Sequence, residues 1–337
     1  MSLKNYFAII LLISVTSCTS QKNKIFDFII AFGSCNNQFL VNNLWNEIDK
    51  HQPNIFIWGG DVIYSDTDSP EIMAKNYDIL LQNESYKMFR KKYEILGTWD
   101  DHDYGQNDGG LNYPMKDQSQ ELFLDFLEVP DNDQRRAQKG IYFSEQYLVQ
   151  DKIIKVIILD TRYFRSDLKK SSDQKKRYVP AKGGTMLGEK QWEWLANELN
   201  NSNADFHVIM SSVQVWSNQH GFETWGNMPD EVKKLDLLLS SSKAKNIILL
   251  SGDRHISEIS AKNIQGMNYP VIDFTSSGMT HAYTSFTGEP NPYRLGEVVF
   301  QNSFGILQFD LDKNEVLMEI RGENNELLQS HSQSYPK

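Results

Sequence analysis

The sequence predicts one large α/β domain with mixed β-sheets. Short apolar runs end in polar clusters, helical patterns fall between the runs, and the last part of the chain is rich in strands. Runs at 28–32, 55–58, 95–99, 156–159 and 247–250 read as buried strands. They lead into Gly33-Ser34-Cys35-Asn36, Gly59-Gly60-Asp61-Val62-Ile63-Tyr64, Asp100-Asp101-His102-Asp103, Asp160-Thr161-Arg162 and Ser251-Gly252-Asp253-Arg254-His255. Strands that end in convergent polar residues are how α/β proteins build active sites. The early alternation of strand and helix, followed by a strand-rich end, favours mixed sheets over a plain doubly wound fold.

The helices follow from apolar spacing. Leu40, Leu44 and Ile48 share a face before Pro53, and Leu122, Phe123, Phe126 and Leu127 form a stripe that stops near Pro130. Trp192, Leu195 and Leu199 mark a third helix over 187–200. Pro229 suits the first turn of a fourth, which carries Val232, Leu235 and Leu239. Further strands are expected at 206–210, 271–274, 304–309 and 316–320. No repeat, low-complexity tract or linker interrupts residues 26–337, which are read as one domain.

With 337 residues the chain can bury a sizeable core. Its formal charge of −10 argues against a general nucleic-acid binder, which needs a basic surface to release counterions. A phosphate substrate remains compatible, because bound metals reverse the sign of the local field. The run from Lys169-Lys170 to Lys175-Lys176-Arg177 reads as a solvated loop face.

Residues 1–17 look like a secretory signal: Lys4 precedes an apolar stretch from Tyr6 to Val15 that is too short to span a bilayer. The stretch ends Val15-Thr16-Ser17-Cys18, which resembles a bacterial lipobox. Residues 18–25 then form a tether from a lipidated Cys18, with the outer membrane, facing the periplasm, as the expected location. The only other cysteine, Cys35, would then have no disulfide partner in an exported protein. Such a thiol is either buried and inert or a metal ligand, and its place between a strand and a Gly/Asn turn favours the ligand.

The polar clusters suit a two-metal hydrolase. Asp61 and Tyr64 share a side if their segment curls into a helical turn, the plainer reading being an N-capping aspartate and a core tyrosine. Asp100, Asp101 and Asp103 around His102 would repel and raise one another's pKa values unless a cation relieved them. His102 could then serve as general acid or orient phosphate, whereas an acidic surface turn would give it no role. Asp253 and His255, two apart, share a face if the strand continues through them, with Arg254 directed elsewhere toward a carboxylate. Arg162 and Arg165 could clamp phosphate bidentately or pair with acids such as Asp160 or Asp167.

This ordered series resembles the PhoD-like phosphatases, the alkaline phosphatase D family. The likeness extends to Leu187-Gly188 with Gln191-Trp192, to Ser211-Ser212-Val213-Gln214 and to Trp225-Gly226-Asn227 with Pro229. It implies a metallophosphoesterase sandwich of two mixed β-sheets flanked by helices, with iron(III) accompanied by calcium. On that resemblance Cys35, Asp61, Tyr64 and His255 are the iron ligands, Asp61 bridges to the second metal, and Asp253 is a second-site ligand. Asp101 stands where relatives carry asparagine before the histidine, and is taken as a metal ligand. A hard trivalent ion suits thiolate, phenolate and carboxylate, and calcium suits a carboxylate-rich remainder. The N-terminal β-sandwich of many relatives has no room before Phe28, and Ser212 and Gln214 could be ligands, supports or core.

The expected function is an exported, lipid-anchored phosphomonoesterase or phosphodiesterase, taken as a monomer. A metal-bridging hydroxide would attack phosphorus in line, His102 would protonate or orient the leaving group, and Arg162 would hold phosphate. The rivals are a lipid- or cell-wall-directed phosphodiesterase of the same fold and a surface lipoprotein that only binds phosphate esters.

Overall fold

The computed structural model describes residues 26–336. The signal, the lipobox with Cys18 and the tether lie outside the described residues, and the α/β expectation is met by two mixed sheets packed face to face.

The first half runs β1 (Phe28–Gly33), α1 (Leu44–Asp49), β2 (Ile55–Gly59), α2 (Pro70–Leu81), α3 (Glu84–Lys92), β3 (Glu94–Thr98), α4 (Asp101–Tyr104), α5 (Lys116–Phe126), α6 (Gln134–Ala137), β4 (Phe143–Val149) and β5 (Lys152–Ile158). The second runs α7 (Gly188–Asn200), β6 (Phe206–Met210), α8 (Pro229–Ser241), β7 (Ile247–Ser251), β8 (Ser257–Lys262), β9 (Val271–Thr275), β10 (Arg294–Val299), β11 (Ser303–Asp310), β12 (Glu315–Gly322) and β13 (Leu327–Ser334).

One sheet is ordered β13-β12-β11-β1-β2-β3, with β1, β2 and β3 parallel. The other is ordered β10-β8-β9-β7-β6-β5-β4, with β5, β6, β7 and β9 parallel. The parallel strands read as continuous apolar runs because both of their faces are covered. Ile30, Phe32 and Ile57 meet Val156, Ile158, Val208, Met210 and Leu250 between the sheets. The alternate residues Ala31, Phe56 and Trp58 pack under Trp45, Phe89 and Phe123 of the helices, and Ile157, Ile209 and Leu249 pack under Trp192, Leu195 and Leu235. Each fully buried side chain of this size contributes about 1.5–3 kcal/mol.

The expected strands all form, within a few residues of their expected ends. Leu40 is 46% exposed in a turn, so α1 begins only at Leu44. The helices α2 and α3 escape the apolar pattern, but their caps are ordinary: Ser69 accepts from Ile72 N–H at 3.3 Å before Pro70, and Asn83 accepts from Tyr86 N–H at 3.1 Å. The parallel strands of both sheets deliver their C-terminal ends to one region, where the polar clusters meet.

Candidate metal centre

Four of the six expected ligands sit on backbone that favours glycine. Cys35, Asp61, Asp253 and His255 have φ of 57°, 52°, 69° and 54°. Non-glycine residues in this left-handed region cost free energy and gather at functional sites, where the surrounding structure enforces them. The two glycines beside them are fixed by close approach. A Cβ on Gly60 would collide with Asp100, and one on Gly252 would meet Ser34 Oγ at 2.5 Å and Gly59 O at 2.6 Å. The room beside Gly60 is thus taken by the next acidic segment.

Two expected local geometries are replaced. Residues 61–64 form bends rather than a helical turn, yet Tyr64 OH still donates to Asp61 Oδ2 at 3.0 Å. The strand β7 stops at Ser251, so Asp253 and His255 converge through two left-handed kinks and not through strand alternation. Arg254 pairs with a carboxylate, as expected, Glu289 at 2.8 Å, but it still lines the same cleft as Asp253 and His255, over the ring of Phe222.

Cys35 Sγ, a carboxylate oxygen of Asp61 and a nitrogen of His255 lie within 4.8 Å of one another. Tyr64 OH completes the group, 3.4 Å from His255 Nε2. The His281 carbonyl lies 2.9 Å from His255 Nδ1, which can donate to it and leave the Nε2 lone pair facing the group. A second group joins Asp61, Asp101 and His102, and a third joins Asp100, Asp101 and Asp253. Asp61 is therefore common to the first two groups and Asp101 to the last two. Asp253 belongs with Asp100 and Asp101.

The electrostatics call for positive charge. Burial, then Cys35 and Asp101, push Asp61 well above the usual carboxylate range. Burial followed by Asp101 and Glu223 pushes Asp253 up to about 7. The Cys35 thiol and Tyr64 phenol are also raised, chiefly by burial. Asp100 Oδ2 is buried with no hydrogen-bond partner. Acids crowded out of water, with one carboxylate oxygen unsatisfied, are what a cation would resolve. The donor set fits a hard or borderline metal on the thiolate side and an oxygen-loving cation among the carboxylates.

His102 is tuned by its neighbours. Burial lowers its pKa, but Asp61, the hydrogen bond to Asp66 and Asp101 outweigh burial and hold it up at about 11. Its Nδ1 lies 2.6 Å from Asp66 Oδ2, and its ring is 4.2 Å from that of Tyr64, centroid to centroid.

Arg162 requires a correction. Its side chain is fully buried and pairs with Asp100 and, at 2.7 Å, with Glu223. The guanidinium is aligned behind a candidate ligand and does not line the cleft, so the phosphate-clamp reading does not hold. Arg165 is equally buried, pairing with Glu223 at 2.9 Å and donating to the carbonyls of Asp108 and Gly109. Ser212 donates to Asp100 Oδ1 at 2.9 Å, and Gln214 donates to Glu258 and Thr275. Ser212 thus supports a candidate ligand, whereas Gln214 is a buried polar residue of the core.

The sequence reading missed Asp100 as a candidate ligand, Asp66, and the pair Ser277 and His281. Ser277 Oγ lies 3.0 Å from Cys35 Sγ. Ser277 and His281 follow the run that became β9, so the strand-end rule could have found them. Among the described residues, Asp61, Asp101, His102, Asp253 and His255 open into a cleft of about 490 Å³.

A family model described as PhoD-like phosphatase matches residues 28–291. The chain is 23% identical over 217 residues to alkaline phosphatase D of Bacillus subtilis (strain 168), an alignment that covers 54% of this chain and 36% of that protein. The matched stretch is thus about a third of that relative's length. Among solved structures, one of PhoD superposes with a TM-score of 0.70 at 15% identity, covering 91% of this chain and 68% of that one. GAP50, the anchor in the inner membrane complex of Plasmodium, gives 0.59 at 12% identity, covering 92% and 89%. A dimetal phosphatase from Danio rerio gives 0.55 at 11% identity, covering 93% and 100%. These three likenesses show the fold.

Proposed function

The chain belongs to the PhoD-like phosphatase family, and from that premise we propose that it is a metal-dependent phosphoesterase acting on phosphate mono- or diesters. The observation that carries this reading is the place of Asp61, whose carboxylate lies within 4.8 Å of donor atoms of Cys35 and His255 on one side and of Asp101 on the other. A carboxylate common to two ligand groups can hold two cations close together. Cys35, Asp61, Tyr64 and His255 would hold iron(III), and Asp61, Asp101, Asp253 and Asp100 would hold calcium. When bound, such cations lower the pKa of an attacking water and neutralise charge developing on the phosphoryl oxygens.

The chain's own groups do the rest. His102, kept as an imidazolium by Asp61, Asp66 and Asp101, stands ready to protonate a leaving oxygen. Carboxylates drawn onto a cation hold that proton less firmly, which brings His102 toward the range where it can give the proton up. Asp66 fixes the ring orientation through Nδ1. Arg162 keeps Asp100 aimed at the third group.

Purified protein should hydrolyse p-nitrophenyl phosphate or its bis-ester with iron and calcium present, and elemental analysis should find both metals. Failure on monoester, diester and phospholipid probes while phosphate still binds would replace catalysis by a binding role. We place the protein in the cell envelope through Cys18. Metabolic fatty-acid labelling should mark the wild type, and Cys18→Ala should release it from membranes. An unlabelled, soluble wild type would end that assignment.

A further inference from the structure

The basic run at 169–177 is fastened to the mouth of the acidic cleft. A bridge between Lys170 and Tyr178, with Ser171 N–H donating to Arg177 O at 3.0 Å, closes it into a hairpin. The N–H groups of Arg177 and Tyr178 both donate to the Gly221 carbonyl, at 2.8 and 3.0 Å. Gly221 has φ 85°, and a Cβ there would meet Lys176 Cγ at 2.8 Å, so the hairpin is seated against bare backbone. Tyr178 OH donates to Asp108 Oδ2 at 2.6 Å, and Asp108 N–H donates to Asp101 Oδ2 at 2.6 Å. One residue, Asp108, therefore links a candidate metal ligand to the hairpin.

The guanidinium of Arg177 lies 3.3 Å from Asp108, is 52% exposed and lines the cleft. Lys175 and Lys176 are exposed beside it and, among the described residues, make no ion pair. Asp173 is the hairpin's own acid, and its Oδ1 accepts from the backbone N–H of Lys175. Phe222, next to the Gly221 seat, supplies an apolar wall of the same cleft. Arg177 at the rim of a carboxylate-floored cleft, with Lys175 and Lys176 exposed next to it on the hairpin, is placed in a chain of charge −10 to meet an anion that the floor does not hold.

We propose that Arg177 with Lys175 and Lys176 forms a subsite for a second phosphoryl group, a few bonds beyond the scissile one. The preferred esters would then carry negative charge on the alcohol side. This rests on the phosphoesterase reading and narrows its substrate class. Arginine suits the role because its planar fork matches phosphate, and the flanking lysines add charge without demanding geometry.

Calorimetry on the protein as purified, with butylphosphonate and butane-1,4-bisphosphonate, tests the subsite with probes that cannot be hydrolysed. The wild type should bind the bisphosphonate about tenfold more tightly, as expected for two or three partly exposed ion pairs. The preference should shrink as salt is raised. Replacing Lys175, Lys176 and Arg177 together by glutamine keeps the stems and should bring the two affinities to within about twofold. Lys233→Gln on α8 should keep the preference. Equal affinities in the wild type, or a preference that survives the triple variant, would overturn the subsite. The expected binding pattern without hydrolysis of any of the monoester, diester and phospholipid probes would leave the subsite standing and remove the phosphoesterase reading.

Discussion

The carboxylate of Asp103 holds the backbone turn of Asp61: Oδ1 accepts from Asp61 N–H at 3.3 Å and Oδ2 accepts from Val62 N–H at 3.0 Å. Oδ1 also accepts from Asp100 N–H at 2.6 Å. One buried side chain thus joins two ligand-bearing segments and holds the N–H of Asp61 at its left-handed φ of 52°.

Asp103→Asn should therefore act through position. Asparagine offers one acceptor oxygen where three N–H groups converge on two, and it aims an NH₂ at one of them. A loss of about 1–3 kcal/mol in urea unfolding is expected for the unsatisfied donor. Metal affinity should fall about 10–100-fold, the usual effect of removing a support behind a ligand. Unchanged metal content and stability would show that the turn holds itself.

Arg162→Met separates a supporting guanidinium from a substrate clamp. The variant leaves Asp100 short of its buried partner and Glu223 with only Arg165. Stability should drop by about 3–5 kcal/mol. Arg162→Lys should recover little, since an ammonium cannot span both acids as the fork does. A phosphate clamp would behave in the opposite way, with intact stability and a raised KM.

Cys35→Ser tests whether the thiol is a ligand or a buried small residue. Serine keeps the size and can still hydrogen-bond Asp61 and Ser277, which lie 3.3 and 3.0 Å from the sulfur. Its hydroxyl is far harder to ionise than a thiol, and the thiolate is what binds metal. The variant should fold, lose iron stoichiometry and lose turnover, with added calcium unable to restore it. Wild-type iron and rate would remove Cys35 from the centre.

Tyr64→Phe should bleach or shift a visible charge-transfer band expected of phenolate on iron(III), while circular dichroism stays nearly unchanged. Tyr64 already donates to Asp61 at 3.0 Å and approaches His255 at 3.4 Å, so its oxygen is in place for that bond. A colourless, fully active protein holding only zinc would rule it out.

The stability gap between metal-loaded and chelator-treated protein should widen as pH rises. In chelator-treated protein, burial, partly offset by backbone N–H donors, holds Asp103 at about 7. Asp253 is held at about 7 by burial with Asp101 and Glu223, and Asp273 at about 6 by burial against its hydrogen bonds. Unfolded aspartate titrates near ~3.9, so between about pH 4 and 7 the folded state binds more protons. The stability these groups contribute is fully present below about pH 4 and is lost as pH rises through about 7. Of these three only Asp253 is a candidate ligand; a cation there must displace its proton, so stabilisation by bound metal should grow over the same window. Melting temperatures at pH 5 and 8, with and without chelator, should diverge as pH rises. Convergence would contradict the carboxylate assignments.

The sequence by itself determined which strands carry polar residues at their ends and which side chains those are. Unbroken apolar runs reported burial on both faces, and so a sheet covered on each side, as β1, β2, β5, β6 and β7 are. Cys35, Asp61, Tyr64, Asp101, Asp253 and His255 were legible because each follows such a run within a few residues. Only the tertiary structure decided how they aim. The kinks at Asp253 and His255, the turn of Arg162 into Asp100 and Glu223, and the setting of His255 by the His281 carbonyl leave no local pattern. Periodicity records which face of a strand or helix meets apolar neighbours. Left-handed backbone at non-glycine residues, and partners as far apart as Cys35 and Thr280, 245 positions, arise only when the two sheets bring those strand ends together.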